Sequence, residues 1–299
     1  MQRREFIRQS ALLAAGTSLM PSALNAFSSI GPKTKPKPIG VQLWSCKDEM
    51  KDDAAGTLKQ IAKIGYDYVE GAGYKDGKMY DMKPTEFKKL LKEHQLKMPS
   101  GHAPFKPSFY NKDKNTFTDE WKITVETALA TGQKYLICPW MDEGDRKTLD
   151  AVKRVAEALN KAGEYCNAQN IKFGYHNHEF EFKKVEDQVI YDVLLKETMP
   201  ENVTFQMDLA WVTYAKGKPV DWFKRYPGRF ELCHVKDLAD EGEKDSCIVG
   251  DGVIDFAEII KSKSVAGLKM YIIELEHYKK DPLSDLKACH KNFDKILNP

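Results

Sequence analysis

From Ile39 onward, short runs rich in β-branched and aromatic residues alternate with longer runs whose apolar positions recur every three or four residues. The first pattern is that of a strand buried on both faces, the second that of a helix with one apolar face. The alternation predicts strands at 39–44, 66–71, 97–102, 135–140, 172–178, 203–209, 230–236 and 270–276. It predicts helices at 54–64, 84–94, 118–131, 147–167, 189–198, 220–226, 256–263 and 282–296. Repeated strand-then-helix units make a parallel sheet, and eight of them favour closure into a single (β/α)8 TIM barrel over an open doubly wound sheet. A chain of 299 residues accommodates such a barrel, for which about 250 residues is typical. No Gly-rich phosphate loop follows the first expected strand, which argues against a nucleotide-binding sheet.

Residues 1–38 fall outside this alternation. The start MQRREFIR is followed by the apolar run SALLAAGTSLM at 10–20. A charged start before a short apolar run is the pattern of an export signal, and Arg3-Arg4 followed by Phe6 and Ile7 resembles its twin-arginine form. The expected organisation is a signal peptide at 1–26, a Lys/Pro-containing linker at 27–38 and the barrel at 39–299, with the mature chain in the periplasm. The apolar runs are too short to predict a membrane span in the mature protein.

Charge and cysteine content narrow the partners. The whole chain carries +2, and removing residues 1–26 takes away three Arg and one Glu, leaving a balanced mature chain. Binding a phosphate backbone needs a basic footprint, so nucleic acid is not an expected partner. Cys46, Cys138, Cys166, Cys233, Cys247 and Cys289 are scattered, with no zinc-finger or C-x-x-C spacing.

In a parallel barrel, chemistry collects where strands end. The expected strand ends carry Glu70, His102, Trp140, His176 with His178, Asp208, His234 with Lys236, and Glu274 with Glu276. Side chains alternate along a strand, so each of the pairs shares a face. Any one of these has an ordinary explanation: a hydrogen-bonded His, a capping Asp, a surface Glu–Lys pair, a core Trp. Four ligand-type residues on four consecutive strands together point to one divalent metal. Mixed imidazole and carboxylate donors suit Mn²⁺, Co²⁺, Zn²⁺ or Fe²⁺ better than Ca²⁺.

The runs GYHNHEFEF (174–182), MDLAW (207–211), HVKD (234–237) and IIELE (272–276) resemble the xylose isomerase-like TIM-barrel superfamily. The similarity is to its sugar phosphate isomerase/epimerase-like branch. It implies a metal held by His176 or His178, Asp208, His234 and Glu274, with a His where the family commonly has Glu on the fifth strand. It also implies that Glu70, His102 and Lys236 face substrate. The chemistry implied is proton removal beside a sugar carbonyl, with enediolate charge forming against the metal. Glu274 is then a ligand able to act as base, His176 or His178 the alternative base, and Lys236 a group that fixes a substrate oxygen. Trp44 and Trp140 would cover an apolar sugar face, with His178 also at the substrate. Reprotonation gives an isomerase or epimerase. Loss of a β-substituent or addition of water gives a lyase or hydratase acting on a 3-keto-glycoside or its elimination product.

Export argues for an unphosphorylated sugar or glycoside, because sugar phosphates are chiefly cytoplasmic. A non-catalytic sugar-binding protein would need the aromatic residues but not the full ligand set. An endonuclease IV-type enzyme would need a basic DNA track, and a barrel without catalysis would serve as a partner subunit. Related barrels often pair, so a homo-oligomer is compatible with the resemblance.

Overall fold

A computed structural model describes residues 36–240, 242 and 244–299. The expected signal at 1–26 and most of the expected linker lie outside the described residues.

Eight parallel strands close into a barrel. They are β1 (Gly40–Gln42), β2 (Tyr68–Gly71), β3 (Lys97–His102), β4 (Tyr135–Cys138), β5 (Lys172–His176), β6 (Val203–Asp208), β7 (Phe230–Val235) and β8 (Met270–Ile273). Each pairs with its neighbours in sequence, and β8 closes onto β1 through Gly40 opposite Ile272 and Val41 opposite Ile273.

The outer helices are α1 (Ala54–Ile64), α2 (Pro84–Glu93), α3 (Asp119–Thr131), α4 (Leu149–Ala168), α5 (Ile190–Glu197), α6 (Pro219–Arg225), α7 (Phe256–Lys261) and α8 (Pro282–Leu297). Their ends follow local chemistry. Thr118, Thr148, Asp255 and Asp281 cap helix N-termini by accepting backbone N–H groups. Gly65 and Gly132 end α1 and α3 at φ 112° and 93°, where a side chain would be strained.

Several strands stop earlier than the sequence pattern predicts. Leu43–Cys46 turns into a 3-10 helix directly after β1, and Pro139 follows the last residue of β4. Expected strand residues Trp44, Trp140, His178, Lys236, Glu274 and Glu276 therefore sit on the loops just beyond the strand ends. The expected helix at 256–263 stops at Lys261, with a separate turn of helix at Lys263–Ala266. The short helix Leu209–Tyr214, begun by Asp208 as its cap, was not expected from the pattern.

The core has two parts. Phe173, Phe205, Phe230, Tyr191 and Trp121 are fully buried between the strands and the helices. Inside the barrel a smaller cluster of Tyr68, Ile137, Leu232, Met270 and Ile272 fills the lower half. The Tyr68 ring crosses beneath Gly40, where a Cβ would lie 2.1 Å from the ring. The upper half is filled by polar side chains.

Two predictions follow from this packing. A Cβ on Gly163 of α4 would lie 2.2 Å from the carbonyl oxygen of Asn202. Gly163→Ala should therefore lower stability by about 1–3 kcal/mol, read as a shifted urea midpoint. All six cysteines are free and buried. Burial pushes the thiols of Cys46 and Cys289 up to about 12, and those of Cys138 and Cys247 up to about 11. Almost no thiolate then exists at pH 8, so an aromatic disulfide reagent should titrate essentially no thiol in the native protein and all six after denaturation.

Candidate metal centre and active site

The upper half of the barrel is organised by one carboxylate. Glu70 on β2 is fully buried. Its Oε1 accepts Ser100 Oγ at 2.5 Å and Gln206 Nε2 at 2.7 Å. Its Oε2 accepts Gln42 Nε2 at 2.8 Å and pairs with His234 Nε2 at 2.6 Å. Register places these groups at one height: Gln42 lies opposite Glu70, and Glu70 opposite Ser100. Burial opposes the charge, but His102, His234 and the hydrogen bonds outweigh it and hold the carboxyl down at about 2.

Gln206 extends the network. Its Oε1 lies 2.7 Å from His102 Nε2 and 3.0 Å from His176 Nδ1. The two imidazoles are thereby tied to the group that donates to Glu70. Burial lowers the pKa of His102, and lowers that of His176 further with help from His234 and His178. Burial and then Lys236 push His178 down to about 4. These three imidazoles are neutral at pH 7 and can accept a proton or bind a cation.

A second group converges beside them. Ligand atoms of Asp208, His234 and Glu274 all lie within 4.8 Å of one another, and all three residues are buried. His234 Nδ1 is 3.2 Å from Glu274 Oε2 and 4.0 Å from Asp208 Oδ2. Asp208 Oδ1 accepts the Trp211 N–H at 2.9 Å, whereas its Oδ2 is buried with no hydrogen-bond partner. Lys236 Nζ, also buried, lies 3.4 Å from Glu274 Oε2 and pairs with Glu276.

Asp208, His234 and Glu274 form a buried, charged cluster with Lys236 beside it. Burial raises the Asp208 pKa; Lys236, whose Nζ lies 3.9 Å from Asp208 Oδ2, opposes the rise and Glu274 adds to it. His234 is pushed up to about 10: burial works against its proton, but Glu274 and Glu70 hold it there. Nε2–H is directed at Glu70, so a metal would take His234 Nδ1 in place of the proton that Nδ1 shares with Glu274, a carboxylate–histidine arrangement that orients metal ligands. Asp208 Oδ2, which accepts no hydrogen bond, the Glu274 carboxylate and this imidazole fit a divalent transition metal.

Glu274 and the three neutral imidazoles border a cavity of about 370 Å³, which Asp208 and His234 do not line. Its floor carries His102, His176, His178, Glu274 and Glu276, and its walls carry Trp44, Tyr74 and Trp140. Trp44 and Trp140 are 45% and 47% exposed. The His178 ring packs edge-on to Trp140 at 5.0 Å and parallel to Phe180 at 5.7 Å. Its loop is pinned by buried Glu181, which accepts the His178 N–H at 2.8 Å and the Tyr175 hydroxyl at 2.5 Å.

Of the four expected ligands, Asp208, His234 and Glu274 come together, whereas His176 groups instead with His102 and His234. Trp44, His102, Trp140 and His178, which the resemblance places at the substrate, line the cavity. Glu70 was expected at the substrate. The structure buries it in the layer beneath, where it sets His234, and it does not line the cavity. Lys236 likewise lies behind Glu274 and Glu276 rather than in the cavity wall. The sequence reading did not single out Gln42, Ser100, Gln206 or Tyr74. The first three could have been found as polar residues inside otherwise apolar buried strands.

Residues 58–289 match the family model described as xylose isomerase-like TIM barrel, and the chain belongs to that family. It is 30% identical to a sugar phosphate isomerase/epimerase of Parabacteroides distasonis. That structure superposes with a TM-score of 0.74, covering 87% of this chain and 99% of the other. An inosose dehydratase of Lacticaseibacillus casei is 26% identical over 176 residues, 52% of this chain and 58% of that protein. An inosose dehydratase of Salmonella typhimurium is 24% identical over 298 residues, 87% of this chain and 94% of that protein. No helix among the described residues is long and apolar enough to cross a membrane.

Glu70→Gln replaces an acceptor by an amide that must face the donors of Gln42, Ser100 and Gln206. With His234 no longer held, metal affinity should fall about 10–100-fold. A competition titration with a chromogenic chelator measures this, and circular dichroism checks that the fold persists.

Proposed function

We propose that the protein is a divalent-metal-dependent carbohydrate isomerase or epimerase that removes a proton beside a sugar carbonyl. The observation that carries this reading is the convergence of buried Asp208, His234 and Glu274, with Asp208 Oδ2 accepting no hydrogen bond, beside the cavity that Glu274 lines. Asp208, His234 and Glu274 would hold the ion, one of Mn, Co, Zn or Fe. When bound, the ion would supply Lewis-acid polarisation of the sugar carbonyl and stabilise negative charge on its oxygen.

The protein's own groups account for the proton. His176 and His178 stay neutral through burial and face the cavity, so either can take a proton from carbon. Glu274, kept ionised by Lys236 and His234 despite burial, is the alternative base. Lys236 remains charged because Glu274, Asp208 and Glu276 surround it, and it fixes the direction of the two carboxylates that follow β8. Trp44 and Trp140 present indole surface to an apolar sugar face and narrow the access of water.

Neither Lys nor Arg lines this cavity among the described residues, which supports an unphosphorylated sugar. Export to the periplasm by the N-terminal signal belongs to the same reading. A lyase is the second reading. It is favoured by the inosose dehydratases among the relatives, and elimination begins with the same proton removal.

Elemental mass spectrometry on the purified protein tests the proposal. Wild type should carry about one transition metal per chain, and Asp208→Ala and His234→Ala should each lose it while remaining folded. Exchange of substrate carbon-bound hydrogen with solvent deuterium should stop on chelation and return on adding Mn²⁺. Wild type that takes up no metal after incubation with Mn²⁺, Co²⁺ and Zn²⁺ would overturn the mechanism.

A further inference from the structure

A second cavity of about 260 Å³ lies beside the first, and Trp44, Ala72 and Tyr74 line both. Its floor is apolar, with buried Leu43 and Met50. Lys47, Lys51, Lys75 and Asp81 supply hydrogen-bonding groups around it.

The boundary between the two cavities is built, not a stray exposed indole. The Trp44 N–H donates to Gln42 Oε1 at 3.0 Å, and the same Gln42 donates to Glu70. On the far side of the turn, Ser45 Oγ accepts the Leu275 N–H at 2.9 Å, and Tyr278 donates to the Ser45 carbonyl at 2.9 Å. The backbone at Trp44 and Ser45 is thus fixed to both the buried carboxylate and the Glu274–Glu276 segment. Lys47 Nζ lies 4.5 Å from its ring centroid. Tyr74 is fixed in turn by Thr124 Oγ1 at 2.7 Å from its hydroxyl. Two aromatic side chains on tethered backbone between two cavities suit a ligand with a ring on either side, because flat faces stack on aromatic side chains at little cost in side-chain entropy.

We propose that the second cavity is a subsite for the group joined through a glycosidic oxygen to the reacting sugar. The substrate is then a two-ring compound, a disaccharide or an aryl glycoside, rather than a free monosaccharide. The proposal rests on the reading of the first cavity as a carbohydrate site. Stacking on Trp44 and Tyr74 is the shared chemistry of a sugar ring and an aryl ring. The lysine amino groups and the Asp81 carboxylate are placed to bond the hydroxyls of the former.

Calorimetry on the Mn²⁺-loaded protein tests this. The probes are free hexoses of gluco, galacto and manno configuration, their 4-nitrophenyl glycosides, the corresponding disaccharides and the hexose 6-phosphates. At least one two-ring compound should bind about tenfold tighter than its free sugar, or about 1.4 kcal/mol. The better of the disaccharide and nitrophenyl arms identifies the second ring. Lys51 lines the second cavity only. Lys51→Trp, which places bulk there, should bring the affinity ratio of two-ring to one-ring ligand towards one. Equal affinity for one-ring and two-ring compounds in wild type would overturn the subsite while leaving the sugar site standing. Preference for the 6-phosphates would overturn it in favour of an anion site formed by the lysines. Binding of none of the sugars would overturn both readings.

Discussion

A single ionised carboxylate, Glu70, sits where the interior of the barrel changes from apolar to polar, and the site above depends on it. A buried charge is tolerated only when its lone pairs are satisfied. Ser100, Gln206, Gln42 and His234, from four other strands, converge on its two oxygens. Each of these strands is thereby held in register by a side chain as well as by its backbone ladder. His234 inherits its ring orientation from this contact. His102 and His176 inherit theirs through Gln206. The Trp44 turn inherits its position through Gln42.

The loops above that layer are anchored one by one. Asp237 is buried and accepts backbone N–H groups of Leu238, Gly250, Gly252 and Ile254. One side chain thus gathers the long segment after β7 beside Lys236. Glu181 does the same for the segment after β5, through Tyr175 and the His178 backbone. Ser45 and Ser246 receive N–H groups of Leu275, Glu276 and His277 after β8. The groups assigned to metal and substrate therefore lie on short, tethered backbone, as preorganised chemistry requires.

The barrel was legible in the sequence because buried parallel strands and amphipathic helices have different periods, and eight repeats leave little choice of topology. Helix bounds came within a few residues because Thr118, Thr148, Asp281 and Pro282 mark starts. The strand ends were less legible. An apolar run carries no mark for where the ladder stops, so Trp44 and Glu276 read as strand although they lie beyond it. The convergence of Asp208, His234 and Glu274 was foreseen because ligand-type residues stood at matched strand ends. The depth of Glu70 and Lys236 was not, because a carboxylate or an amine at a strand end reads alike whether it reaches the cavity or supports a neighbour. Gln206 escaped notice because an amide in a buried strand becomes meaningful only when its partners on two other strands are known.

The six cysteines are all buried and free. No covalent cross-link contributes to the described barrel, so its architecture is blind to the redox potential of whatever compartment holds it. No need for an oxidant to complete the described barrel, or for a reductant to protect it, is built into its wiring.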